Sequence, residues 1–159
     1  MNSSFYESLL NKRDKSEVRK LFGVIRNNSR NYRYLKNYIN ALIDDNVDLS
    51  YQDYSGNTIL HLAIKLNDIK LLKLLLEFGV NVNLANENRM SPIHCAIEKN
   101  RIDMVELLVD NGADFESTME LEQTPLHQAV SLEEIEIVKY LVSLGANINM
   151  VDENNSSVL

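Results

Sequence analysis

The sequence predicts an all-α repeat array, a solenoid of stacked antiparallel helix pairs, and three observations lead there. The three histidines of this 159-residue chain stand at 61, 94 and 127, thirty-three residues apart. Gly79, Gly112 and Gly145 keep the same interval. Each histidine also sits in a matching box: Thr58-Ile59-Leu60-His61-Leu62-Ala63, Ser91-Pro92-Ile93-His94-Cys95-Ala96, and Thr124-Pro125-Leu126-His127-Gln128-Ala129. A fixed period of this length marks a repeat architecture, and the periodicity within it identifies the elements.

The first element of each period is a short apolar helix. Thr58 precedes Leu60–Leu66 and offers a hydroxyl to the free N–H groups of the helix start. A turn at Asn67-Asp68 leads to a second helix, on which Ile69, Leu72, Leu75 and Leu76 share one face. The same face returns as Ile102, Val105, Leu108 and Val109, then as Ile135, Val138, Leu141 and Val142. Gly79, Gly112 and Gly145 end these second helices, because a left-handed stop costs glycine nothing. One such pair cannot bury its apolar side alone, whereas stacked neighbours can.

Period and box together resemble the ankyrin repeat, over residues 53–151 and more weakly toward both ends. The resemblance implies repeats at 53–85, 86–118 and 119–151, each a β-turn finger followed by a helix pair. Residues 1–52 then form a basic segment with a degenerate capping repeat, and 152–159 begin a truncated further one. The family's Asp-x-x-Gly turn is complete only at Asp53–Gly56. Asn86/Arg89 and Met119/Glu122 replace it, so the second and third fingers are expected to be reshaped or more mobile, since a non-glycine residue at positive φ costs about 1 kcal/mol. In the cap, Tyr38–Ile43 align at an offset of 33 and Leu21–Ile25 at 39. This places six extra residues between the two helices, near Asn27–Arg33, and a further turn or loose tail around Phe5, Leu9 and Leu10. The chain stops one residue before the next expected histidine. It therefore reads as a piece of a longer protein, or one that self-associates at an uncapped C-terminal end.

Composition narrows the function. Apolar residues make up 45% and charged residues 25%, enough for a core. No secretory leader is visible and Leu71–Leu76 is too short to span a bilayer, so a cytoplasmic setting without membrane is expected. The single Cys95 excludes an internal disulfide framework. The net charge of −7 is split: residues 1–40 carry +6 and residues 41–159 carry −13. In the basic segment, Arg30, Arg33 and Lys36 interleave with Tyr32, Tyr34 and Tyr38, which leaves open a nucleic-acid or acidic-partner patch, though no readout motif supports nucleic acid.

Chemistry finds little footing. His61, His94 and His127 lie one per layer, about 10 Å apart at helix-packing distance, too far to share a metal. The resemblance assigns them, with Gly79, Gly112 and Gly145, to structure: each His bonds backbone and the adjacent Thr or Ser. Cys95 with His94 makes no nucleophile pair, because adjacent helical residues diverge. Glu133, Glu134 and Glu136 read as a solvated helix start, and no glycine-rich phosphate loop exists. No enzyme, cofactor, metal or small-molecule substrate is expected.

The resemblance instead implies a protein-binding scaffold whose fingers and first helices form a concave face. Its contact positions fall on Tyr54, Ser55, Asn57, Lys65 and Leu66, then Glu87, Asn88, Met90, Glu98 and Lys99, then Glu120, Leu121, Gln123, Ser131 and Leu132. The expectation is an acidic groove with apolar anchors docking a protein partner. Frequent Asn, Ile and Lys give the chain a likeness to the ankyrin proteins of poxviruses or intracellular bacteria, which implies a role inside a host cell.

Overall fold

A computed structural model describes residues 3–28, 30–153 and 157, with side chains from residue 15 onward. Eight α-helices occur among them: α1 (Ser3–Asn28), α2 (Tyr32–Asp44), α3 (Ile59–Lys65), α4 (Ile69–Glu77), α5 (Pro92–Glu98), α6 (Ile102–Asp110), α7 (Pro125–Ser131) and α8 (Ile135–Ser143). A 3₁₀ turn, Glu120–Glu122, precedes α7. Successive helices pair as antiparallel hairpins. The inner helices α3, α5 and α7 stack on one another, and so do the outer helices α2, α4, α6 and α8.

The helices are short because their caps are close together. Thr58 and Thr124 cap α3 and α7, Pro92 and Pro125 occupy the first turn of α5 and α7, and Asp68 accepts the Leu71 N–H to start α4. Nine or fewer residues would be marginal alone. They are held by burial: Leu60, Ile64, Leu71, Leu72, Leu75, Ile93 and Ile97 are sealed in one continuous core that runs through every layer. Each such side chain contributes on the order of 2 kcal/mol.

The cap differs from the expectation. The six extra residues do not form a loop; α1 runs on to Asn28 and α2 begins at Tyr32. Relative to α3 and α4 at their two offsets, two of the six lengthen the end of α1 and four add a turn to the start of α2. That added turn is anchored, since the Tyr32 hydroxyl donates to both carboxylate oxygens of Asp68 at 2.9 and 3.0 Å. Residues 3–15 belong to α1 itself, while the side chains of Phe5, Leu9 and Leu10 lie outside the described residues.

Of the two fingers expected to be reshaped, only the third is. In finger 1 the Asp53 N–H donates to the Asn57 carbonyl, and the Asp53 carboxylate braces the tip by accepting from the Ser55 and Asn57 N–H groups. Finger 2 has the same shape. Asn86 supplies the identical brace to Asn88 and Met90, and Arg89 takes the left-handed conformation of Gly56, at φ 57°. Finger 3 is rebuilt. Met119 has no oxygen to brace the tip, and Leu121 and Glu122 both adopt positive φ in the 3₁₀ turn.

Gly56 is needed for a second reason. A Cβ there would lie 2.6 Å from the Glu87 N, whose N–H donates to the Ser55 carbonyl and joins finger 2 to finger 1. A Cβ at Gly112 would meet nothing within 4 Å. Gly56→Ala is expected to cost about 2–3 kcal/mol, Gly112→Ala only about 1 kcal/mol of backbone strain. Urea unfolding midpoints of the two variants measure the difference, and equal losses would contradict the close approach of the fingers.

Candidate functional site

The histidine boxes tie the layers together. The His61 Nδ1 accepts from the Thr58 backbone N–H at 3.1 Å and lies 2.9 Å from the Thr58 hydroxyl. An accepting Nδ1 places the ring proton on Nε2, which donates to the Met90 carbonyl of the next finger at 3.0 Å. His127 engages Thr124 in the same way, but its Nε2 donates at 3.0 Å to the Met150 carbonyl, 23 residues on and not 29, in the segment that leaves α8. His94 repeats the first half, with Ser91 engaging its Nδ1; its buried Nε2 faces the Ser117 backbone, the place that Met150 holds for His127, outside ordinary hydrogen-bond geometry.

The same layer boundary lacks the bond between fingers. Glu87 N–H reaches the Ser55 carbonyl from finger 2 to finger 1, and Glu153 N–H reaches the Leu121 carbonyl one layer past finger 3. Among the described residues no such bond joins fingers 2 and 3. Away from the fingers this boundary is bridged by Asn83, whose side chain donates to the Gly112 carbonyl and accepts the Asp114 N–H, and Glu116 likewise accepts the Asn147 N–H one boundary on. Among the described residues, backbone hydrogen bonds thus join finger 1 to finger 2 and finger 3 to the layer after it, but not finger 2 to finger 3.

The chemistry of these groups follows from their burial. Desolvation holds the His61 imidazole below its ordinary value and the His94 imidazole down to about 4. Burial pushes the Cys95 thiol up to about 12, which keeps it protonated and a poor nucleophile. Among the described residues, no group of three or more His, Cys, Asp or Glu side chains is placed to hold a metal ion. The three histidines are strung out one per layer, each engaged with its own Thr or Ser.

The exposed surface divides the positions picked from the sequence into groups. Asn57, Lys65, Asn88, Met90, Glu98 and Lys99 line one cavity of about 290 Å³ between α3, α5 and the fingers. Tyr54 and Ser55 line a second, of about 310 Å³, beside α1. The two cavities share Arg26 and Asp53 and form one groove. Leu66, Leu121 and Leu132 are exposed beyond it, the last two at 47% and 44%. Glu87, Glu120 and Ser131 are exposed and line neither cavity. Gln123 is half-buried and spent on structure, donating to the Asp152 carboxylate, as Asn57 accepts from Asn86 two boundaries earlier.

Sequence reasoning missed the α1 wall of this groove. Arg19, Phe22 and Arg26 face the first finger, with the Arg19 guanidinium 5.0 Å from the centre of the Tyr54 ring and 3.4 Å from the Tyr51 hydroxyl. A signal was present: Arg26 precedes Lys65 by 39 residues, the offset that aligns Leu21 with Leu60. With Arg19, Arg26, Lys65 and Lys99 against Asp53 and Glu98, the wall of the groove carries net positive charge. It is not acidic.

Helix hairpins in register, a histidine relay between layers and a groove across the inner helices define a helical repeat scaffold. A family model described as ankyrin repeats (3 copies) matches residues 28–119 and 86–152, and the chain belongs to the ankyrin-repeat family. Residues of this chain are also 31% identical over 67 positions to a protein of Acanthamoeba polyphaga mimivirus described as an ankyrin repeat protein. That match takes in 42% of this chain and 8% of the length of the viral protein.

The buried His94 makes the fold sensitive to acid. Its folded-state pKa near 4 lies below the ordinary 6.5, so the unfolded chain takes up the proton first. Stability is thus full above about pH 6.5 and falls toward pH 4 by about 1 kcal/mol per pH unit from this group. In His94→Gln, urea midpoints taken between those limits should fall less steeply than in the parent; an unchanged slope would place the acid sensitivity elsewhere.

Proposed function

We propose that this chain is a non-enzymatic scaffold that docks a protein partner on the concave surface formed by its fingers and inner helices. Ankyrin repeats generally mediate protein–protein interaction, and the family supports that much for this chain. The observation that carries the particular face is the groove: it crosses α1, α3 and α5, and Leu66, Leu121 and Leu132 are exposed beyond it. Large side chains left outside a well-filled core are the usual anchors of an interface. Repeats at 53–85, 86–118 and 119–151 are the layers of this proposal, with residues 1–52 as their cap.

A nucleic-acid reading of the basic segment has less support. Tyr32 is bonded to Asp68, and Tyr34 and Tyr38 stack on each other at 6.2 Å, so these rings are engaged with the protein. Among the described residues no helix is long and apolar enough to cross a membrane. The outer flank of the last hairpin exposes Ile135, Val142, Ile148 and Val151, and this supports self-association of copies at that end. A setting in a host cell's cytoplasm is a further part of the proposal, supported by the likeness to a viral protein.

The test is affinity capture from cell extract with mass spectrometry, comparing the parent with a Tyr54→Ser, Leu66→Ser, Leu132→Ser variant. All three residues are exposed, so circular dichroism should be unchanged while specific partners are lost. Full retention of every partner would dismiss the groove.

A further inference from the structure

The groove is cationic on a body that is otherwise acidic, and this contrast says what kind of segment it fits. Residues 41–159 carry −13 and residues 1–40 carry +6; Arg19 and Arg26 of the basic segment meet Lys65 and Lys99 of the acidic one around the two joined cavities. All four side chains are exposed. Among the described residues none of them is ion-paired; the salt bridges join Lys20 to Glu17, Lys36 to Glu77, Arg101 to Asp103 and Lys139 to Glu136 instead. Of the two acids in the groove, Asp53 already spends an oxygen on the Ser55 and Asn57 N–H groups. Arg19 is held over the rim by Tyr51 and Tyr54, which reduces the entropy lost when it meets an anion.

The positive stretch is also bounded. It begins on α1, crosses α3 and ends at Lys99 after α5. Beyond it the third finger carries exposed Glu120 and Glu122, and Glu133 and Glu134 follow in the turn from α7 to α8. Two steps between layers of about 10 Å each make ~20 Å. An extended peptide covers that distance in about six residues.

We propose that the α1–α5 half of the groove binds a short acidic segment of a partner protein, with Asp or Glu carboxylates on Arg19, Arg26, Lys65 and Lys99. This deepens the docking reading above and rests on it. A long polyanion does not suit the site, because past Lys99 its phosphates would run onto the Glu-rich third layer. Bases would also find one face of Tyr54 already covered by Arg19. Past the acidic stretch, the partner chain would meet exposed Leu121 and Leu132, so an apolar residue following the carboxylates completes the fit.

The experiment uses the full chain and a fluorescent peptide of roughly eight residues, Asp and Glu followed by one Leu, read by anisotropy. Controls are the same peptide with Asn and Gln, and an oligothymidylate of similar length. The acidic peptide should bind, its Kd should rise about fivefold or more between ~50 and ~300 mM NaCl, and the Asn/Gln peptide should bind at least about tenfold more weakly. Arg26→Glu with Lys65→Glu should weaken the acidic peptide about tenfold or more, while Lys139→Glu on α8 leaves it unchanged. No binding of the acidic peptide, equal binding of the neutral one, tighter binding of the oligonucleotide, or indifference to the double reversal each overturns the proposal. Should the Tyr54, Leu66, Leu132 variant lose its partners while the charge reversal alters neither capture nor peptide binding, docking stands and the acidic segment falls. If neither variant matters, both fall.

Discussion

Everything in this molecule depends on apolar faces that no single hairpin can hide. Helices of seven and nine residues have too little surface to bury Leu60, Ile64, Leu72 or Leu75 within their own layer. Each layer is therefore folded only to the extent that its neighbours are, and stability accumulates by adjacency. Polar groups then set the register in which the layers meet. A histidine with a proton on Nε2 can reach only a carbonyl at the right height on the next finger, so the relay from Thr58 through His61 to Met90 aligns two layers and satisfies a buried ring at once.

Much of this was legible in the residues because the repeat itself is a physical requirement. Box, glycine stop and apolar face recur at one spacing because each layer must present the same surface to the next. What remained hidden lay where the pattern is not repeated. The six additional residues of the cap carried no turn chemistry of their own, and Tyr32 bonding to Asp68 across 36 residues turned them into helix. In finger 2, Asn86 proved an adequate replacement for Asp53, because the brace needs an accepting oxygen and not a charge. In finger 3, methionine offered neither.

The candidate groove shows the same division. Positions on the repeated layers were found because their equivalents in each period point one way. Arg19 and Arg26 belong to a helix far longer than its counterparts and aligned at an offset of 39 and not 33, and the sign of the groove was misjudged with them. Net charge summed over a stretch of sequence describes solubility; the charge of a cleft is set by the few side chains that border it.

The missing bond between fingers 2 and 3 divides the row of fingers and not the core. Helix α5 packs on α7 as α3 packs on α5, and the buried cluster runs unbroken across that boundary. Among the described residues the backbone of finger 3 is tied to the layer after it and not to finger 2, so a change of sequence at its tip is passed forward along the array and not back toward the first finger.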